Sequence, residues 1–99
     1  MLCELAEVQL RMNRVPLALE TAAAAVDTAQ QRSARVIECQ AHLVLAEVHL
    51  TRPDAAGLKV VQPSLERAEN LIEETGAVVY KTGLQRLQLR LAGLTVDRR

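Results

Sequence analysis

The sequence predicts an all-α protein in which antiparallel helical hairpins stack into a superhelix of about five helices. The first observation is an internal repeat: residues 5–10 read LAEVQL and residues 45–50 read LAEVHL, with five of six positions identical. A looser echo, LAGL, follows at residues 91–94. The second observation is composition, because 49% of the residues are apolar but there is no Trp, no Phe and one Tyr. A core of Leu, Val and Ala suits closely packed helices better than a sheet.

The first hairpin is predicted over about residues 2–31. Apolar residues recur at helical spacing from Leu2 to Met12, and residues 13–16 break the pattern. Pro16 fits the first turn of a second helix, where its missing N–H costs nothing. That helix contains a run of alanines that favours helix and is thin enough for another helix to lie close against it.

The second hairpin is predicted over about residues 34–75, and its first helix, about 34–51, is expected at the centre of the domain. Ser33 is the expected N-cap of this helix. Apolar residues cover so much of the circumference that other helices have to pack on more than one side. The main stripe consists of Val36, Cys39, Leu43, Ala46 and Leu50.

A linker is expected over residues 52–62, because Gly57 and Pro63 both discourage an uninterrupted helix. The second helix of the hairpin is then predicted from about 63 to 75, with Pro63 in its first turn. Gly76 follows as the left-handed residue that ends it.

An extra helix is predicted over about residues 78–95, with leucines at three- and four-residue spacing. Because it has no hairpin partner, its leucine stripe is a candidate surface for a homodimer. Two arginines one turn apart form a basic face, and the one Tyr precedes the helix. The candidate partner-binding residues are therefore Tyr80, Leu84, Arg86, Leu87, Arg90 and Leu91.

Small and apolar residues are expected where helices cross, most of them at matching places in the two hairpins. These residues are Leu5, Ala6, Ala18, Ala22, Ala25, Cys39, Leu45, Ala46, Leu65 and Ala68. The spacing of most of them resembles that of tetratricopeptide repeats, which are helix-turn-helix units of about 34 residues with small residues at the crossing. Ala22 stands where that family usually has Tyr or Phe, and the units here are longer. The resemblance implies a divergent superhelix of the tetratricopeptide type.

A second resemblance covers about residues 33–97. The segment LERAENLIEETGA at residues 65–77, with Tyr80 and a closing LRLAGL, is similar to the C-terminal repeat tail of large bacterial regulators. In these, the tail follows a nucleotide cyclase or a DNA-binding regulator module and an ATPase of the signal-transduction type. The resemblance implies a non-catalytic protein-protein interaction module that is a fragment of a bacterial signalling or transcription regulator.

No pattern in the sequence predicts a catalytic, cofactor-binding or metal site. His42 and His49, with Glu38 one turn before His42, are the one group that suggests a metal. Seven helical residues separate the histidines by about 10.5 Å, which is too far for both to bind one ion. A half-site of Glu38 and His42 completed by another chain stays open as an alternative. For Cys39, the expected role is that of a small buried hydrophobe.

Charge is balanced overall but uneven along the chain. Residues 1–75 carry seven Lys/Arg against eleven Asp/Glu, and residues 76–99 carry five against one, for a total of zero. This balance and the lack of aromatic residues argue against nucleic acid as a partner. No apolar run approaches the roughly 20 residues of a membrane span, and two distant cysteines are typical of reduced cytoplasmic thiols. The expected partner is another protein, another domain of the same polypeptide, or a second copy.

Overall fold

The structure, a computed structural model, describes residues 2–51 and 55–96. It confirms the all-α class, since the described residues contain five α-helices, one short 3-10 helix and no strand. None of the described helices is long and apolar enough to cross a membrane. In chain order the elements are α1 (Leu2–Arg11), α2 (Val15–Gln31), α3 (Arg35–Thr51), α4 (Ala55–Thr75), the 3-10 turn Val78–Tyr80 and α5 (Lys81–Val96).

The turn between α1 and α2 is closed by a left-handed residue, Asn13, at φ 62°. The N–H of Asn13 donates to the carbonyl of Leu10 at 3.0 Å, and the N–H of Arg14 donates to that of Gln9 at 2.9 Å. These bonds form a Schellman motif, which gives two terminal carbonyls of α1 a partner. Asparagine tolerates the left-handed region better than most residues, so the turn occurs where the sequence supplies one.

The turn between α2 and α3 has the same geometry, and it corrects the expected role of Ser33. Ser33 lies at φ 54°, and its N–H donates to Gln30 at 3.2 Å. The N–H of Ala34 donates to Ala29 at 2.9 Å. Ser33 is therefore not an N-cap: it ends α2.

Helix α4 is longer than the sequence indicated. A linker was expected over residues 52–62, but α4 begins at Ala55 and runs through Pro63, while residues 52–54 lie outside the described residues. Val61, within the expected linker, is completely buried and belongs to the same core cluster as Leu65. The prediction was wrong because burial of this apolar face against α3 offsets the hydrogen bond that proline cannot donate.

Gly76 ends α4 as predicted. It lies at φ 72°, and its N–H donates to the carbonyl of Ile72 at 2.8 Å. The Thr75 hydroxyl donates to the carbonyl of Leu71 at 2.6 Å and accepts from the N–H of Ala77 at 3.3 Å. Two residues later the 3-10 turn leads into α5, which starts at Lys81.

Successive helices alternate between two layers, with α3 at the centre. One side of α3 packs with α1 and α2, and the other side packs with α4 and α5. Helices α1 and α5 each contact α3, which is two helices away in the chain, and the three line one groove. They form one layer, and α2 and α4 form the other. The cluster shared with α1 and α2 consists of Ala6, Val15, Ala18, Ala22, Ala25, Val26, Ala41, Val44 and Val48.

Of the ten residues expected at helix crossings, all but one are buried or partly buried in the two core clusters. Eight side chains are buried: Ala6, Ala18, Ala22, Ala25, Cys39, Ala46, Leu65 and Ala68. Leu45 is partly buried against the first cluster. Leu5 is 47% exposed, so the expectation that it packs at a helix crossing is wrong. Its repeat counterpart, Leu45, packs on the hairpin that precedes α3, whereas no described helix covers the same face of α1.

Candidate functional site

A groove crosses α3 between α1 and α5, and we call it the α3 groove. It encloses about 170 Å³. Because α1, α3 and α5 lie in one layer, the groove collects side chains from three helices that are distant in sequence. It is lined by Glu7, Gln40, Leu43, Val44, Glu47, Tyr80, Gly83, Arg86 and Leu87.

The polar side chains of the α3 groove include two carboxylates at equivalent positions of the repeat. Glu7 and Glu47 are the third residues of LAEVQL and LAEVHL. Neither carboxylate, nor the guanidinium of Arg86, makes a hydrogen bond or ion pair with another side chain in the part of the chain that the structure describes. Neither glutamate is among the site residues predicted from the sequence, although the repeat marks them as a matched pair.

Three of the six candidate partner-binding residues line the α3 groove: Tyr80, Arg86 and Leu87. However, Leu84 and Leu87 are each only 3% exposed, and Leu91 is half-buried against the same core cluster. The expectation of an exposed apolar stripe on the last helix is therefore wrong. Helices α3 and α4 together offer a surface wide enough to bury it.

Arg90 lies apart from the α3 groove. Its guanidinium donates to the carbonyl of Leu50, in the last turn of α3, at 3.4 Å. Leu89, off the leucine stripe, is 74% exposed. The six candidates therefore do not form one surface.

A second, larger groove lies between α4 and α5. Its two parts enclose about 630 Å³ and about 360 Å³ and share Glu69 and Gln88 on their walls. Ala92 also lines it and is exposed, although its counterparts in the first two repeat units, Ala6 and Ala46, are completely buried. The third, looser copy of the repeat, at residues 91–94, therefore places its alanine at an open groove and not at a helix crossing.

Glu38 anchors a buried polar cluster that joins α2, α3 and α4. Its side chain is 5% exposed. Its Oε2 accepts hydrogen bonds from Gln30 Nε2 at 3.2 Å, His42 Nε2 at 3.1 Å and Arg67 Nε at 3.1 Å. Helical spacing already pairs Glu38 with His42 in the sequence. Gln30 and Arg67 could not be predicted, because only the packing of α2 and α4 on α3 brings them to Glu38.

The cluster keeps Glu38 ionised. Burial raises the pKa of Glu38, but hydrogen bonds from Arg67, Gln30 and His42 and the charge of Arg67 together lower it below its ordinary value of 4.5. The hydrogen bond to Glu38 in turn raises the pKa of Arg67. A second, exposed ion pair joins Arg35 to Glu74 across the same two helices. The arrangement holds α3 and α4 together by charge at one end of their contact.

The described side chains form neither a metal site nor a reactive thiol. No group of three or more His, Cys, Asp or Glu within residues 2–51 and 55–96 is placed to hold a metal ion. His42 Nδ1 is buried without a hydrogen-bond partner among those residues. The Cys39 thiol donates to the carbonyl of Ala68 at 3.6 Å. Burial raises the pKa of Cys39, so this thiol stays protonated and unreactive.

None of the known protein families matches this sequence, and neither a curated protein nor a solved structure is significantly similar to the chain.

Proposed function

We propose that the chain is a non-catalytic protein-protein interaction module of tetratricopeptide-like form. Its ligand is a segment of another protein, or of another domain of the same polypeptide, bound in the α3 groove. The observation that supports this most is the placement of Glu7, Glu47 and Arg86 around one groove without partners among the described side chains. Charges that do not stabilise the fold are available to a ligand.

The charges also favour one class of ligand. Two carboxylates against one guanidinium select a segment of net positive charge. The half-buried Tyr80 offers an aromatic surface and a hydroxyl at the end of the groove near α5. Electrostatic contacts of this kind set specificity and association rate more than affinity.

Fluorescence polarisation with labelled short peptides of positive, zero and negative net charge tests this function. We expect the positive peptides to bind most tightly and their affinity to fall as salt is added. Glu7→Gln and Glu47→Gln should each weaken binding. The matched control is Glu20→Gln, an exposed glutamate on α2 outside the groove, which should leave binding unchanged. Equal binding of all three peptide classes, or an equal loss in Glu20→Gln, would contradict the proposal.

We further propose that this module works in the cytoplasm as the repeat tail of a larger bacterial signalling or transcription regulator. The support is the resemblance of residues 33–97 to such tails and two distant cysteines of the kind that stay reduced. The coding sequence upstream of residue 1 provides the test. A nucleotide cyclase or a signal-transduction ATPase in the same reading frame would support the proposal, and unrelated upstream sequence would count against it.

A further inference from the structure

The outward face of α1 carries an apolar stripe. Leu5, Val8 and Met12 are 47%, 46% and 57% exposed. At 3.6 residues per turn, their spacing places all three within an arc of about 60° on the helix. The face of α1 that carries Ala6 is already occupied, because Ala6 is buried in the core. Gln9, at the edge between that face and the stripe, accepts a hydrogen bond from Thr21 at 2.7 Å. The stripe therefore points away from the rest of the described chain.

The internal repeat shows that this is a packing face. Leu5 and Val8 correspond to Leu45 and Val48 of α3. Val48 is 1% exposed, and both α3 residues pack in the cluster formed with α1 and α2. The same face of the repeated helix thus buries its apolar residues against helices in the second unit and leaves them open in the first.

We propose that the stripe on α1 is covered by α1 of a second copy of this chain, in an antiparallel pair related by a two-fold axis through Val8. In that arrangement Val8 meets its own counterpart, and Leu5 meets Met12 of the other copy at both ends. Such an interface is self-complementary, as a two-fold dimer requires. The stripe lies outside the α3 groove, although its charged flank adjoins Glu7, and the proposal does not depend on the proposed function.

The charges beside the stripe fit this arrangement. Glu4 and Arg11 are exposed, two turns apart on the same flank of the stripe, and neither has an ion-pair partner within the described ranges. In an antiparallel two-fold pair, the flank of one helix lies beside the same flank of the other helix. The first turn of each helix then lies beside the last turn of its partner. Glu4 of each copy therefore comes to lie beside Arg11 of the other. In a parallel two-fold pair the equal flanks lie on opposite sides of the interface, so Glu4 of one copy would not come beside Arg11 of the other.

Sedimentation equilibrium over a range of protein concentrations tests the dimer. A reducing agent prevents disulfides through Cys3. One short helix face is smaller than the roughly 800 Å² that each partner buries in a stable complex, so we expect a weak dimer. Val8→Glu should weaken it at least about tenfold. The control is Leu89→Glu, a more exposed leucine on α5, which should leave the dimer intact.

Charge reversal tests the antiparallel register. Glu4→Arg and Arg11→Glu should each self-associate at least about tenfold more weakly, because each variant places like charges opposite one another. An equal mixture of the two variants should form a heterodimer as tight as the parent dimer, because opposite charges then meet at both ends. Circular dichroism establishes that each variant keeps its helices.

Three outcomes would overturn the proposal. The first is a parent that stays monomeric up to roughly 1 mM, where even a weak specific complex forms. The second is a mixture of the charge-reversed variants that fails to associate. The third is a mass that rises past the dimer with concentration, because that indicates α1 docking head-to-tail in the groove between α4 and α5 of the next copy.

Discussion

Three of the described residues adopt the left-handed backbone conformation at helix ends, and they differ in how well they suit it. Gly76 has no side chain to strain, and Asn13 is among the residues that tolerate positive φ best. Ser33 has neither advantage, and its side chain makes no hydrogen bond with another described residue. The turn between α2 and α3 is therefore the most strained of the three.

Ser33→Gly is expected to raise the free energy of unfolding by about 0.5 to 1 kcal/mol. Glycine removes a steric cost of roughly 1 to 2 kcal/mol in this conformation, and its greater freedom in the unfolded chain returns about 0.5 to 1 kcal/mol of that. Urea denaturation measures the change. Ser33→Ala keeps a Cβ and should bring no gain. A less stable Ser33→Gly variant would show that the turn is not strained.

Glu38 makes the free energy of unfolding depend on pH in the acid range. Its pKa is below 4.5 in the folded chain, so the unfolded chain binds this proton more readily. The stabilisation is complete above pH 4.5 and is lost as the pH falls through the folded pKa. The parent should therefore lose stability below pH 4.5 more steeply than Glu38→Gln in denaturation experiments across pH. Equal slopes for the parent and Glu38→Gln would refute this role.

At the scale of single elements, Pro63 interrupts the hydrogen-bond pattern of α4. In a regular helix the N–H of residue 63 bonds the carbonyl of residue 59, and proline has no N–H to donate. We expect Pro63→Ala to raise the free energy of unfolding by about 1 to 3 kcal/mol. The range allows for the stiffer unfolded chain that proline provides. Thermal melting measures the gain.

Pro16 is the matched control for this change. It lies in the first turn of α2, where no helical hydrogen bond requires its N–H. Pro16→Ala should therefore bring no gain. If both substitutions stabilise equally, the missing hydrogen bond in α4 is not the cause.

Ala46 sets how closely α3 and α4 approach, because it is completely buried in their shared core cluster. Ala46→Leu should overpack this crossing and lower the free energy of unfolding by about 1 to 3 kcal/mol. Ala24→Leu places the same side chain on the exposed face of α2 and should change stability by less than about 0.5 kcal/mol. An unchanged melting temperature for Ala46→Leu would show that residue 46 has room for a larger side chain.

At the scale of the whole molecule, the sequence could predict what depends on local pattern. Helical spacing, the break near Asn13 and the stop at Gly76 indicated most of the array. The first turns of α4 could not be predicted, because the burial of Val61 in the core shared with α3 depends on tertiary packing. The burial of Leu84 was missed for the same reason. The α3 groove depends on which helices share a layer, and no local pattern shows that Glu7 lies opposite Arg86.

The layered order also predicts how stability is distributed. Helix α3 is covered on both sides, whereas α5 packs mainly on α3 and α4 and exposes Leu89. In stacked helical units each element depends mainly on its neighbours. Backbone amides of α3 should therefore exchange hydrogen most slowly, and those of α5 markedly faster. Hydrogen-exchange mass spectrometry measures both, and equal protection would mean that all five helices unfold as one unit.

Tyr80 gives the molecule a built-in optical reporter. The sequence contains no Trp, no Phe and no other Tyr. The ring of Tyr80 packs on the core where the chain passes from α4 to α5. All intrinsic ultraviolet emission therefore comes from that junction and none from the alanine-rich hairpin at the other end. If α5 detaches first, tyrosine emission will change at lower denaturant than the loss of helical ellipticity. The fraction of chains in which α5 is detached could then be measured without attaching a dye.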